Sequence, residues 1–339
     1  MLKKLNIAVP TPVKASGEVA AEAYLAHIAS LREPGHDGEP VIEGVAAAAL
    51  NGEAKYLSPR QRAQVIEASA ECKRRDPQIN IMVAALRATE QELHADFKDL
   101  DDTVFSALLL APPMDDPDVD DQRMADLAER AHQDSGLPIV IYNTQQAKFT
   151  ARISTLCACY HRIGTGLIGI KDTQDSDEMV REFAAYIQRA NGAEALPIVF
   201  AQGMDLLLNP VWQQLDTLKT EYGYPHGPTN ISGSSNVKGL AVVTGYMRHF
   251  ANLGNWEMVE AIQTFIAKEA VPLLLWDRAV LGGEQGTWKA AAAYQTPDYP
   301  IAAVPHPKSP IKTLTPKQVR QKHHACAYID ARIDAFRPK

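Results

Sequence analysis

The feature that most constrains the fold of this chain is a series of eight short apolar runs, separated by stretches with helical periodicity. The runs are nearly continuous in apolar character rather than alternating, which is typical of parallel strands covered by helices. They are Leu5–Val13, Gly44–Leu50, Ile79–Leu86, Phe105–Ala111, Leu137–Asn143, Gly166–Asp172, Leu196–Gly203 and Pro228–Asn236. Eight β-then-α repeats within roughly 250 residues predict a (β/α)₈ TIM barrel of the α/β class. A doubly wound open sheet is the alternative, and it usually has fewer strands.

Helix signals lie between the apolar runs and continue after the last of them. Ser58 is placed as an N-cap, with Pro59 at the first helical position. The predicted helices include Asp118–Ser135, Ser176–Ala190, Trp256–Lys268, Ala270–Val280, Gly286–Tyr294 and Thr315–Asp334. We therefore predict a catalytic barrel over residues 1–254 and a C-terminal helical region, residues 255–339, packed on that barrel.

Composition excludes several classes of function. The net charge of the 339-residue chain is −7 and Lys and Arg are not clustered, so we expect no nucleic-acid partner. No apolar stretch approaches the ~18 residues of a membrane span, and the N-terminus lacks the apolar core of a signal peptide. Four scattered cysteines favour a reduced, cytoplasmic protein. No metal-ligand spacing is present, so neither a metal nor another cofactor is expected.

Two chemically useful side chains end consecutive apolar runs. Lys171 ends the sixth run and Tyr142 lies near the end of the fifth. The carboxyl ends of barrel strands form the active-site face, so these two side chains are expected to lie close together. Desolvation makes a lysine amine a better nucleophile towards a carbonyl, which points to Schiff-base chemistry. The alternative is a structural lysine at the rim that pairs with Asp172 or Asp175.

Five segments, taken in chain order, carry a resemblance to a known family. They are Val9–Val13 with Ser16–Val19, Ala49–Glu53 with Leu57 and Ser58, Ile141–Asn143, Gly169–Asp172, and Ile231–Val237. The chain resembles the dihydrodipicolinate synthase and N-acetylneuraminate lyase family of class I aldolases. Lys289 and the Pro-rich Val304–Thr315 resemble the tail of that family, so the resemblance covers nearly the whole chain.

The resemblance implies a role for each matching residue. Lys171 would form an imine with a 2-oxo acid, and Tyr142 would transfer protons as a general acid and base. Backbone N–H groups would hold the substrate carboxylate. The substrate-binding residues implied in this way are Leu50, Asn51, Gly203 and Ile231. Members of the family form dimers or tetramers, so a homo-oligomer is expected.

Departures from the family pattern concern the side of the site that takes the second substrate. Leu50 and Asn51 stand where the family has two hydroxyl residues, and Leu50 cannot relay a proton. Ala111–Met114 lacks the tyrosines of the synthases, and Ala147 replaces their arginine. We therefore predict a lyase, aldolase or dehydratase acting on a pyruvate-type 2-oxo acid. The alternatives are a dihydrodipicolinate synthase with other relay groups and a non-catalytic barrel that binds 2-oxo acids.

Overall fold

Parallel strands occupy the centres of the predicted apolar runs. The structure, a computed structural model, describes residues 5–34, 38–98, 100–173, 178–190, 196, 199–202, 217–218, 221 and 229–338. Its strands are β1 (Leu5–Ala8), β2 (Gly44–Ala47), β3 (Asn80–Ala85), β4 (Ala107–Leu110), β5 (Ile139–Asn143), β6 (Leu167–Asp172), β7 (Val199–Gln202) and β8 (Thr229–Ser232). Each strand falls inside one predicted run. The prediction of the α/β class is confirmed.

In the described residues, a helix follows each of the strands β1 to β6, and helices make up most of the chain after β8. They are α1 (Ala21–Leu31), α2 (Pro59–Arg75), α3 (Glu90–Phe97), α4 (Asp121–Ser135), α5 (Ile153–Ile163), α6 (Glu178–Arg189), α7 (Lys238–Asn252), α8 (Trp256–Phe265), α9 (Val271–Leu275), α10 (Arg278–Leu281), α11 (Gln285–Gln295) and α12 (Pro316–Ile333). The predicted cap of α2 is confirmed. The Ser58 hydroxyl accepts from the backbone N–H of Gln61, and the Gln61 side chain accepts from the Ser58 N–H. This reciprocal pair satisfies two backbone donors that a helix start leaves without intrahelical partners.

The chain divides into two compact units. We call Asn80–Ile231 the central unit, and Leu5–Ile79 with Ser232–Lys339 the terminal unit. In the central unit, β3 to β8 follow one another in chain order, and each pairs in parallel with the next. The buried faces of α4 and α5 pack together beside β5 and β6, and the side chains of β4 and β5 are buried. The predicted boundary at residue 254 stays a prediction.

The terminal unit combines β1 and β2 with the helices at both ends of the chain. β1 and β2 pair in parallel, with Asn6 opposite Gly44. The Asn236 side chain, just beyond β8, donates to the carbonyl of Ala8 at 2.9 Å and contacts the buried His27 ring at 3.0 Å. Burial lowers the pKa of His27 to about 4, so this ring is neutral at pH 7. No described helix is both long and apolar enough to cross a membrane.

Helices follow residue 255, as predicted, but one of them is divided. The predicted helix Ala270–Val280 is two helices in the structure, α9 and α10, separated at Trp276 and Asp277. A π-helical segment, Ile266–Ala270, joins α8 to α9. The Lys322 ammonium of α12 donates to Asp277 at 2.5 Å and also to the carbonyl of Leu274. A buried ion pair therefore lies at the point where the helix is interrupted.

Gly169→Ala is expected to destabilise the protein by about 1–3 kcal/mol, the usual cost of overpacking. Gly169 lies in β6 opposite Val199 of β7, and a methyl group at position 169 would meet the Val199 carbonyl oxygen at 2.9 Å. Because that oxygen belongs to backbone, the strand itself must shift. Urea unfolding followed by circular dichroism measures the change. The matched control is Gly245→Ala in α7, where the added methyl group contacts nothing within 4 Å. This variant should stabilise the protein by about 0.5–1 kcal/mol. Equal effects of the two variants on the free energy of unfolding would contradict the prediction.

Candidate active site

Lys171 and Tyr142 are direct cross-strand neighbours in the central unit. Parallel pairing of β5 and β6 places Tyr142 opposite Lys171, and the next pairing places Lys171 opposite Ala201 of β7. Both side chains are buried, with 3% of Lys171 and 2% of Tyr142 exposed. The Lys171 Nζ lies over the Tyr142 ring, 4.2 Å from its centroid. The face of the ring attracts the ammonium form of the lysine.

One residue further along the same strands, a second polar pair fixes the strand ends. The Asn143 side chain donates to the Asp172 carboxylate at 2.8 Å and accepts from the Ala151 N–H at 2.9 Å. The backbone N–H of Thr173 donates to the Asn143 carbonyl at 2.9 Å. These contacts hold the ends of β5 and β6 in register next to the lysine.

The alternative partners of Lys171 were Asp172 and Asp175. Among the described residues Lys171 forms no ion pair, and the Asp172 carboxylate accepts from Asn143 instead. Asp175 lies outside the described residues. Lys171 and Tyr142 are therefore brought together as predicted, and the pair between Asn143 and Asp172 is an addition that the sequence analysis missed. The sequence could have suggested this pair, since its two residues directly follow Tyr142 and Lys171.

Leu50 and Asn51 lie in a short turn of the terminal unit that directly follows β2. Leu50–Gly52 form one turn of 3₁₀-helix, and Glu53 has φ 60°, in the left-handed region that non-glycine residues seldom adopt. The close approach of Gly52 to Thr11, whose hydroxyl donates to the Gly52 carbonyl at 2.7 Å, leaves no space for a side chain there. The turn thus has a fixed backbone.

A buried ion pair anchors this turn to the C-terminal part of the terminal unit. Lys289 of α11 pairs with Glu53, and the two side chains are 1% and 0% exposed. The Lys289 ammonium also donates to the Ala302 carbonyl, and the second Glu53 oxygen accepts from the Val304 N–H at 2.9 Å. Burial lowers the pKa of Lys289, and the neighbouring Glu53 carboxylate opposes that shift. Lys289 and Val304, which both belong to the part of the chain that resembles the family's tail, therefore both bind Glu53.

Polar side chains of the terminal unit surround Gly233, just after β8. A methyl group at Gly233 would lie 1.9 Å from the Asn51 amide nitrogen and 3.0 Å from the Trp288 indole nitrogen. The Gln285 amide donates to the Leu50 carbonyl at 3.4 Å. Gly233, Gln285 and Trp288 were not identified from the sequence. The only signal was the position of Trp288 directly before Lys289.

The other residues that the sequence analysis singled out lie in β8 and in the segments that follow β4 and β5. Ile231 is fully buried in β8, and Gly203 lies outside the described residues. Pro113 and Met114, in the stretch that lacks the tyrosines of the synthases, are buried after β4. Ala147 lies half-buried in a turn after β5, while Gln145, Gln146 and Lys148 are exposed.

Solved structures of aldolases and lyases are similar to this chain over nearly its whole length. The sialic acid aldolase of Ruminococcus gnavus is 15% identical, with a TM-score of 0.76 and 99% of each chain covered. The chain has the fold of this aldolase. The N-acetylneuraminate lyase of Fusobacterium nucleatum is 14% identical, with a TM-score of 0.74, and the match covers 97% of this chain and 99% of that one. A prophage protein of the dihydrodipicolinic acid synthase family from E. coli K12, solved with pyruvate, is 16% identical, with a TM-score of 0.75 and 96% and 98% covered.

The aldolase fold was expected from the sequence resemblance, and it is confirmed. The chain matches no protein-family model and none of the curated proteins. Identities near 15% establish the fold alone, and within one fold the reaction depends on the side chains of the site.

Proposed function

We propose that this protein is a lyase of the class I aldolase type, which forms a Schiff base between Lys171 and a pyruvate-type 2-oxo acid. The observation that carries the proposal is the buried Lys171 amine over the Tyr142 ring, without an ion-pair partner among the described residues. A buried amine that no described carboxylate holds is placed for nucleophilic attack on a carbonyl carbon.

The reaction would proceed through an imine. The neutral Lys171 amine adds to the C2 carbonyl carbon of the acid and gives a carbinolamine, which loses water to form the imine. The C4 hydroxyl loses its proton, the bond between C3 and C4 breaks, and C4 leaves as an aldehyde. The protonated imine accepts the electron pair of that bond and becomes an enamine. Protonation of the enamine at C3 and hydrolysis of the imine then release the shortened 2-oxo acid. In a dehydratase the bond between C3 and C4 stays intact: the enamine would form by loss of a proton from C3, and it would then expel the protonated C4 hydroxyl as water.

The roles of the other residues follow from the family resemblance. The Tyr142 hydroxyl would donate and accept protons at the carbinolamine and at the C4 hydroxyl of the substrate. The substrate-binding residues are proposed to be Leu50, Asn51, Gly203 and Ile231, with the substrate carboxylate at the backbone N–H groups of the first two. This assignment includes the proposal that β1 to β8 close into a barrel, whose strand ends form one site.

Three positions favour a lyase or dehydratase over a dihydrodipicolinate synthase. Leu50 cannot relay a proton, Pro113 replaces a tyrosine, and Ala147 cannot bind a second carboxylate. The imine-forming pair is retained, whereas the side of the site that would take an aldehyde substrate is changed.

Borohydride reduction in the presence of 2-oxo acids tests the proposal. The panel contains pyruvate, 2-oxobutyrate and 3-deoxy-2-oxo sugar acids. We expect a covalent mass increase on the peptide that contains Lys171, because reduction converts the imine into a stable secondary amine. Intact-mass measurement followed by peptide mapping locates the adduct.

Two variants give this experiment its controls. Lys171→Ala should lose the adduct and keep its circular dichroism spectrum, while Lys148→Ala, which removes an exposed lysine after the strand of Tyr142, should keep the adduct. Absence of an adduct with every acid of the panel, or an adduct on a different lysine, would refute the proposal. A thermal shift with 2-oxo acids that is accompanied by neither turnover nor an adduct would favour the non-catalytic binding protein, and condensation of pyruvate with aspartate semialdehyde would favour the synthase.

A homo-oligomer, either a dimer or a tetramer, is proposed on the same resemblance. Leu273, Trp276 and Val280 support it, since these apolar side chains are 43%, 59% and 64% exposed along one segment of the terminal unit. Subunit contacts commonly cover exposed apolar side chains of this kind.

A further inference from the structure

The strands that carry the imine-forming pair, Tyr142 and Lys171, meet in an irregular register just before these residues. Between Ile139 and Val140, β5 advances by one residue while β6 advances by two. An extra residue in one strand, as in a β-bulge, locally disrupts the hydrogen bonds of the ladder. Because side chains alternate along a strand, a slip by one residue beyond this point would turn one member of the pair to the opposite face of the sheet. The arrangement of the pair therefore depends on a contact that fixes the register.

A buried polar pair supplies such a contact at the ends of the two strands. Asn143 of β5 lies opposite Asp172 of β6, and 1% of the first residue and 0% of the second are exposed. The Asn143 amide nitrogen donates to the Asp172 carboxylate at 2.8 Å. A slip of the register would withdraw this donor from a buried carboxylate, and a buried polar group that loses a hydrogen bond is costly. The bond therefore favours the observed register over its neighbours.

Asn143 connects three segments of the central unit. Its side-chain oxygen accepts from the Ala151 N–H at 2.9 Å, two residues before α5 begins. Its backbone carbonyl accepts from the N–H of Thr173 at 2.9 Å and from the hydroxyl of Thr173 at 3.2 Å. The end of β6 and the entry to α5 are thus tied to a single residue of β5.

We infer that the hydrogen bond between Asn143 and Asp172 positions the imine-forming pair and thereby controls the rate at which the imine forms. The inference rests on the proposed function and adds two positioning residues to it. Neighbouring side chains of a strand point to opposite faces of the sheet, so these two lie behind the pair and do not act on the substrate. Displacement of reacting groups by about 1 Å can cost about a hundredfold in rate, so a register fixed from behind affects the chemistry.

The substitution Asn143→Asp isolates this hydrogen bond. It keeps the size of the side chain and an acceptor for the Ala151 N–H, but it replaces the donor to Asp172 by a second carboxyl group. Two carboxyl groups in contact raise the pKa of the second ionisation, so they share one proton in acid and repel each other once both are charged. We expect adduct formation with pyruvate close to the wild-type rate at about pH 6, and at least about tenfold slower than wild type at about pH 9.

The measured quantity is the initial rate at which cyanoborohydride and pyruvate produce the adduct on Lys171, expressed as the ratio of variant to wild type. The ratio cancels the titration of Lys171 and Tyr142, which both proteins share. Gln122→Glu is the matched control, because Gln122 donates to Asp126 at 3.0 Å on the exposed side of α4. This control also brings two carboxyl groups together, and its ratio should not change with pH.

Three further variants complete the experiment. Combining Asn143→Asp with Asp172→Asn exchanges donor and acceptor, so the bond is restored and the ratio should return close to the wild-type value at every pH. Asp172→Asn alone keeps an acceptor for the Asn143 amide and should also stay close to wild type. Asn143→Ala removes the donor without adding a charge, so it should be slow at every pH, and it keeps the test decisive if Asn143→Asp unfolds.

The outcomes separate this inference from the proposed function. Circular dichroism at each pH follows folding, and a merely structural role of the pair would lower the melting temperature while the folded variants formed the adduct at the wild-type rate. If that is found, or if the exchange of Asn143 and Asp172 does not restore the rate, the inference is wrong and the wild-type adduct still supports the proposed function. Equal losses in Asp172→Asn and Asn143→Ala would show that the charge of Asp172 is required rather than the bond, and would also overturn the inference. If the wild type forms no adduct, the proposed function is wrong and the inference falls with it.

Discussion

Lys289→Met is expected to lower the free energy of unfolding by about 3–5 kcal/mol, the usual cost of removing one partner of a buried ion pair. Among the described residues, the substitution leaves the fully buried Glu53 carboxylate with only the Val304 N–H as a hydrogen-bond donor. The backbone of Glu53 is also in the left-handed region, so the turn that carries Leu50 and Asn51 loses the contact that holds it. Urea denaturation with linear extrapolation measures the change.

A double variant and an exposed pair provide the controls. Combining Glu53→Gln with Lys289→Met removes both charges, and it should recover a large part of the loss, since replacement of a whole buried pair is often close to neutral. Lys238→Met breaks a pair with Glu33 in which the side chains are 38% and 59% exposed. Its effect should stay below about 1 kcal/mol. Similar losses for Lys289→Met and Lys238→Met would show that the buried pair does not anchor the turn.

Tyr142→Phe is expected to reduce kcat/KM about 10²–10⁴-fold, the range for loss of a general acid and base. The substitution removes the hydroxyl but keeps the ring against which the Lys171 ammonium lies, so the position of the amine should be retained. We therefore expect borohydride still to trap pyruvate on Lys171, although more slowly. Steady-state kinetics with whichever substrate of the panel is cleaved, together with the rate of trapping, separate these two effects.

The matched control for this variant is Tyr160→Phe in α5, at a half-buried tyrosine of the same unit. It should leave both kcat/KM and the trapping rate unchanged. A loss smaller than tenfold in Tyr142→Phe would mean that another group transfers the protons. Complete loss of trapping would instead mean that the hydroxyl is needed for the imine to form.

Much of the fold could be predicted from local patterns. Strands such as β5 and β6 are short apolar runs that end in polar residues, and α2 begins at a Ser58 cap that its own neighbours specify. The wrong predictions concern where a strand ends and where a helix is interrupted. The first run continues to Val13, but β1 ends at Ala8, before Pro10 and Pro12, because proline cannot donate to a strand ladder. Nothing in the local periodicity of Ala270–Val280 predicts the break at Asp277, which pairs with a lysine 45 residues away.

The sequence alone determined the strand ends at Tyr142 and Lys171, because a period of one strand and one helix places equivalent positions on the same edge of a parallel sheet. Only the tertiary structure decided which side chains from distant segments meet. Glu53 and Lys289 are 236 residues apart, and Asn51, Gly233 and Trp288 come from three separate segments. Local patterns specify which face of an element is apolar. Contacts between elements depend on how the whole chain packs, and these contacts fix the turn of Leu50 and place an unpaired indole donor beside Asn51.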